Sequence, residues 1–121
     1  MKILLLVCAF TIILISKDAF SSEDLNQLQL NQAAVQHYSA SDFMLNKAYS
    51  QLMLVLEGKR KDQLKLAQRA WIKFRDLNAK LVSSSYAGGS IEPLIYTQAL
   101  INLTVKRTEE LTRIYLNEIT P

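Results

Sequence analysis

Few residues in this chain are able to do chemistry, and their spacing argues against most of the reactions they would serve. His37 is the only histidine and Cys8 the only cysteine in 121 residues. An ordinary zinc site draws four ligands from Cys, His and carboxylates, so no metal is expected. Ser and Asp are numerous enough for a Ser-His-Asp arrangement, but nothing around His37 supports one, and His37 reads as a surface residue. Gly88-Gly89-Ser90 is too short for a phosphate loop and lacks its strand and lysine. Asp42, Asp76 and Glu110 are the carboxylates that would have to work as acid and base; they read better as partners for arginines. Lys59-Arg60-Lys61 reads as a solvated turn, and the Trp and Tyr residues, at helical spacing, read as core. The residues therefore assign no catalytic group and no cofactor, and the expectation is a protein that is not an enzyme.

The N-terminal residues set the compartment. Lys2 is followed by an almost wholly apolar run from Ile3 to Ile15, and Ala19-Phe20-Ser21 places small residues at the −3 and −1 positions. That is the layout of a secretory signal covering residues 1–21, cleaved between Ser21 and Ser22. The run of about 13 residues is shorter than the roughly 17–25 a membrane-spanning helix needs. Val7 stands where a lipid-attachment site at Cys8 would require a small residue, so Cys8 leaves with the signal. The expected location is periplasmic or secreted, with no membrane association after cleavage.

Removing Lys2, Lys17 and Asp18 from 14 basic and 11 acidic residues leaves a net charge of about +2. So balanced a chain has no special attraction for nucleic acid. Residues 22–121 suit one small domain. It contains no cysteine, so its core alone must hold it.

The elements that would position these residues are helices. From Glu23 to Leu56 there is no Pro or Gly. Leu28, Val35, Asp42, Tyr49 and Leu56 form one seven-residue ladder, beside Tyr38, Leu45 and Leu52, so Asp42 interrupts an apolar face. Ser39-Ala40-Ser41 offers a site for a kink or a fresh N-cap, which leaves open one long first helix, a kinked one, or two in line. Gly58 ends it. The stretch Leu64–Leu81 is expected to bury Leu64, Ala67, Trp71, Phe74 and Leu81, broadened by Ala70 and Leu77, with Arg69 and Arg75 flanking the stripe. Ser83 to Gly89 is loop chemistry, Ser90 an expected N-cap, and a third helix runs to about Asn117 with Leu94, Ile101, Val105, Leu111, Tyr115 and Ile119 on its apolar side. The β-branched residues between Ile91 and Val105 keep a strand open as an alternative. The fold class expected is all-α, a small antiparallel bundle of three main helices.

Four short patterns follow one another in order: Asp42-x-x-Leu45-Asn46-x-x-Tyr49, Ala67-Gln68-Arg69-Ala70-Trp71-Ile72-x-Phe74-Arg75-Asp76, Gly88-Gly89-Ser90-Ile91-x-Pro93, and Leu103-Thr104-x-x-Arg107-x-x-Glu110-Leu111. Together they resemble the LprI-like family of small exported bacterial proteins, over roughly residues 30 to 115. That family is named for a mycobacterial lipoprotein that inhibits lysozyme. The resemblance implies a helical domain that binds a lysozyme-like hydrolase or another envelope protein, and the competing reading is an envelope module that inhibits nothing. Relatives usually carry cysteines where this chain has Ala79 and Ala99, and at an earlier position matching Ala33. Loss of both members of a bridge together avoids a reactive orphan thiol.

Two sets of residues are assigned roles. Asp42, Asn46, Tyr49, Arg69, Trp71, Arg75, Asp76 and Arg107 are expected to be structural scaffolding. Ser85, Tyr86, Gly88, Gly89 and Ser90 form the candidate partner-binding loop, with Tyr86 as its aromatic anchor. Asp42 precedes Gly58 by 16 residues, while Arg69 and Arg75 follow it by 11 and 17. Equal rise along antiparallel helices predicts an Asp42–Arg75 contact, with Arg107 or Asn46 completing the cluster.

Overall fold

The computed structural model describes residues 22–121; the expected signal segment 1–21 lies outside the described residues. Three long helices account for nearly all of this part: α1 Ser22–Val55, α2 Lys59–Ser83 and α3 Glu92–Ile119, with a short 3-10 turn at Ser84–Tyr86. Among the described residues there is no strand, so the strand alternative at Ile91–Val105 is replaced by the first half of α3. No helix among them is long and apolar enough to cross a membrane.

α1 runs unbroken through Ser39-Ala40-Ser41, so of the open alternatives the single long helix is the one formed. The Ser41 hydroxyl donates to the His37 carbonyl at 3.0 Å, one turn back, so it follows the helix without interrupting it. Gly58 takes φ 53, a left-handed angle open to glycine at little cost, and the chain reverses there. Lys59-Arg60-Lys61 is not the turn but the first turn of α2. At the far end Gly88, at φ 80, leads into α3. Ser90 does not cap α3: the N-cap is Ile91, with no side-chain bond. Ser90 instead offers its carbonyl to the Asn31 amide of α1 at 3.2 Å, while Glu92 accepts from the Gly88 N–H at 3.0 Å.

The helices run up, down and up, so sequence neighbours are antiparallel and α1 lies parallel to α3. Both α1 and α2 pack chiefly on α3. Leu45, Ala48, Leu52, Leu56, Leu64 and Leu111 form the buried cluster at the Gly58 end, with Tyr49, Met53, Trp71 and Tyr115 around it. Toward the other end Leu100 and Ile101 are buried together with the small residues Ala34, Ala79, Ser83 and Thr97. Arg60 ties the start of α2 to the end of α3 through a two-pronged bond to Glu118, 2.7 Å for Nη1 to Oε2.

The expected core differs from the observed one most on α2. Its buried side is Leu64, Gln68, Arg75, Ala79 and Ser83, with Trp71 half-buried. Phe74, Leu77 and Leu81, expected inside, are exposed, as are Ala67 and Ala70. On α1, Leu28 and Val35 are exposed while Ala34 and Ala48 are buried; on α3, Val105 and Ile119 are exposed and Thr97 and Thr104 are buried. On α2 the contact line follows the polar motif residues Gln68 and Arg75 in preference to the larger apolar ones, whereas on α1 it runs through Ala34, Leu45, Ala48 and Leu52.

Candidate functional site

The motif residues of α1 and α2 converge on one cleft. Asp42, Leu45, Asn46 and Tyr49 descend one side at spacings of three and four, and Lys65, Gln68, Arg69, Ile72 and Arg75 line the other. The cleft opens along the seam between α1 and α2 and encloses about 490 Å³.

Arg75 is the centre of the polar cluster beneath it. It is 8% exposed. Its Nε donates to Asp76 Oδ1 at 2.9 Å, and its Nη1 lies 3.6 Å from Asp42 Oδ1, so the expected Asp42–Arg75 contact is present as an ion pair just beyond hydrogen-bond reach. The guanidinium also lies over two rings, 5.2 Å from the centre of Trp71 and 5.6 Å from that of Tyr38, within the range of cation–π attraction. Asn46 completes Asp42 by donating to Oδ2 at 3.2 Å. Burial pushes the Tyr38 hydroxyl above its ordinary pKa, an effect partly offset by the Arg75 charge.

Arg107 reaches the same aromatic from α3. Its guanidinium lies 5.9 Å from the Trp71 ring centre, its Nε donates to the buried Gln68 Oε1 at 3.1 Å, and its Nη1 bonds Glu110 at 3.0 Å. Trp71 thus links the two arginines, and through them all three helices. Arg107 and Asn46 both belong to the assembly, but Arg107 joins it through Trp71 and Gln68 and not through Asp42.

This arrangement leaves little for acid–base chemistry. Each of Asp42, Asp76 and Glu110 has an arginine partner. His37 is exposed, with its neighbour Ser41 bonded to the backbone. Among the described residues no group of three His, Cys, Asp or Glu side chains is placed to hold a metal ion. Arg69 faces the cleft without an ion pair or side-chain hydrogen bond among the described residues, unlike the other two motif arginines.

Ser85, Tyr86, Gly88, Gly89 and Ser90 stand apart from the cleft, at the end of the bundle where α2 turns into α3. All five are exposed. The segment is a run of tight turns, with bonds from Ala87 N to Ser84 O, Gly89 N to Tyr86 O and Glu92 N to Gly89 O. Asn31 holds it against α1. α1 continues nine residues beyond Asn31, about 14 Å, so the loop lies alongside a helix and is not a projecting finger.

Two residues central to the cluster carried signals too weak to assign from sequence. Gln68 stood within the second motif but had no role assigned to it, and Tyr38 was visible only as one aromatic of an apolar ladder. A polar side chain at a buried helical position that faces an arginine on another helix is the pattern that would have found Gln68.

A protein of Rhizobium meliloti (strain 1021), itself uncharacterised, is 37% identical over 99 residues, covering 71% of each chain. No solved structure matches the chain. A family model described as "Lysozyme inhibitor LprI" matches residues 18–111, the stretch that contains the cleft, the arginine cluster and the loop. The chain belongs to the LprI family.

Proposed function

We propose that the chain is an exported protein that binds a lysozyme-type cell-wall hydrolase and inhibits it sterically, without catalysis of its own. The family match over residues 18–111 carries this reading. The signal-like layout of residues 1–21 supports export to the periplasm or the medium. The pairing of every motif carboxylate with an arginine supports a scaffold role for Asp42, Asn46, Tyr49, Trp71, Arg75, Asp76 and Arg107, which fix the helices that present the binding surface. Tyr86 and the turns from Ser85 to Ser90 belong to that surface as a rigid, exposed rim.

The test is a cell-wall lysis assay with the purified protein against a panel of lysozyme types. Slowed lysis by at least one of them, at stoichiometric protein, is the expected result, and Tyr86→Ala weakens it modestly. If no lysozyme type is slowed, the protein is an envelope-binding module without inhibitory activity.

A further inference from the structure

The largest unexplained feature of the molecule is the outer side of α2. Leu66, Phe74, Leu77 and Leu81 are 65%, 55%, 55% and 70% exposed, and Ala70 is exposed between them. At 3.6 residues per turn these five fall within roughly 80° of arc and form an unbroken stripe about 22 Å long, facing away from Gln68 and Arg75. The other helices do not repeat the pattern. On α1 the exposed Leu25, Leu28, Val35, Phe43 and Leu54 share one side of the helix, but Gln32, Ser39, Asn46 and Ser50 lie among them and break it up. A contiguous apolar face on a soluble helix marks a binding surface, whereas scattered apolar residues do not.

The charge beside the stripe says what kind of surface covers it. α2 carries eight Lys and Arg against two Asp, while the other described residues carry four basic against eight acidic. The near-balance of the whole chain conceals this polarity. Arg60, Lys65 and Arg75 have acidic partners. Arg69, Lys73 and Lys80, which border the stripe along one edge, have none among the described residues. A second copy docking α2 on α2 would bring these like charges together. An acidic, apolar-lined concavity would satisfy both components.

We infer that the outer face of α2 is the inhibitory surface, and that it seats in the carboxylate-bearing glycan cleft of the hydrolase, with the stripe from Leu66 to Leu81 along the cleft and Arg69 and Lys73 on its carboxylates. The inference rests on the inhibitor reading above. Glycoside hydrolases flank the scissile bond with two carboxyl groups roughly 5–9.5 Å apart. Arg69 and Lys73, one turn apart on a helix, present their charges about 6 Å apart along its axis. A straight convex helix matches an elongated groove as helix-in-groove complexes do, and Tyr86, just past the end of α2, lies at the margin.

The experiment compares inhibition by the parent protein with two double variants, Phe74→Ser/Leu77→Ser and Arg69→Glu/Lys73→Glu, and with Tyr86→Ala. All these side chains are exposed, and circular dichroism checks that each variant keeps its helices. At least tenfold weaker inhibition is expected for each double variant, with less than threefold for Tyr86→Ala. Parent inhibition is also expected to be competitive with tri-N-acetylglucosamine. Full inhibition by both double variants overturns the inference while leaving the inhibitor reading intact. A parent that inhibits nothing overturns both. Two other outcomes also overturn it, by giving the face a different occupant: binding to phosphatidylglycerol vesicles that the double variants abolish while still inhibiting, or self-association of the parent that they abolish in the same way.

Discussion

Replacing Arg75 and Asp42 separately and together separates the contributions within the polar cluster. Arg75 has a 9% exposed side chain held by one charged hydrogen bond, one ion pair and two aromatic rings. A hydrogen bond to a charged group contributes about 1.5–3 kcal/mol, and a cation–π contact about 0.5–2 kcal/mol according to its exposure. Part of the first is recovered when the freed carboxylate rehydrates, which both partners do readily because the Asp42 and Asp76 side chains are 41% and 44% exposed. Arg75→Ala is therefore expected to cost roughly 2–4 kcal/mol, including the packing of its buried stem. Asp42→Ala removes a partner at 3.6 Å that is open to solvent and leaves Arg75 its bond to Asp76. Its cost should be about 1 kcal/mol or less, in the range of exposed pairs and not of buried ones.

Thermal unfolding of the four proteins in the cycle measures this. At about 4–8 °C per kcal/mol for a domain of this size, Arg75→Ala should lower Tm by roughly 10–25 °C and Asp42→Ala by no more than about 8 °C. The coupling should stay below about 1 kcal/mol. Arg75→Lys should recover only part of the loss, since an ammonium keeps the charge but neither the planar contact with Trp71 and Tyr38 nor the Nε bond. A coupling above about 2 kcal/mol, or an Asp42→Ala variant as unstable as Arg75→Ala, would refute the reasoning. The Asp42–Arg75 pair, and not the aromatic and Asp76 contacts, would then hold the cluster.

Three further perturbations test other parts of the bundle. Thr104 is fully buried and its hydroxyl has no hydrogen-bond partner among the described residues, so Thr104→Val should raise stability in denaturant by about 1 kcal/mol; a loss would show that the hydroxyl is satisfied in solution. Arg60 paired with Glu118 and Gln68 with Arg107 fix an antiparallel register that brings Ala79 level with residues 96–99. Ala79→Cys/Ala99→Cys should therefore oxidise within one chain, read by mass and thiol titration, and stabilise by about 3 kcal/mol for a loop of about 20 residues; persistent free thiols would show the register to be wrong. The bond from Arg60 holds the Glu118 carboxyl below its ordinary pKa, so its stabilisation is complete above the usual glutamate value and is lost as pH falls through the lowered one. The Tm difference between the parent and Glu118→Gln should be present at neutral pH, shrink in acid and diminish in salt; a difference independent of pH would remove the ion pair from the explanation.

What the sequence conveys about this chain follows from which signals are local. The lack of Pro and Gly from Glu23 to Leu56, and the glycines at 58 and 88, are backbone constraints that tertiary packing has little power to reverse, and the three helices follow from them. Equal rise from Gly58 likewise brought Asp42 and Arg75 to one height, because it needs only antiparallel helices and a tight turn. Ser90 failed as an N-cap because its carbonyl bonds Asn31, 59 residues away, a contact that no local pattern encodes.

The rotation of α2 was not legible, and for a physical reason. Periodicity locates an apolar stripe but does not say what covers it. α2 carries two arcs that qualify for burial: one from Leu66 to Leu81, and one made of Leu64, Trp71 and Ala79 with Gln68 and Arg75 between them. By side-chain hydrophobicity alone the first is the better core. The second is the one buried, because Gln68 and Arg75 find Arg107, Asp76, Asp42 and two aromatic rings there. A helix that packs through its more polar arc turns its apolar arc toward solvent, and five exposed apolar positions in register beside three unpaired cations are costly to maintain without a partner. The buried arginine cluster and the exposed stripe are thus two consequences of one rotation. A variant that makes the polar arc apolar, Gln68→Leu/Arg75→Leu, would leave the helix two competing faces, and the exposed side chains of Phe74 and Leu77 should then become buried as the helix turns; unchanged solvent exposure at both, read by side-chain NMR, would show that the polar contacts do not set the rotation.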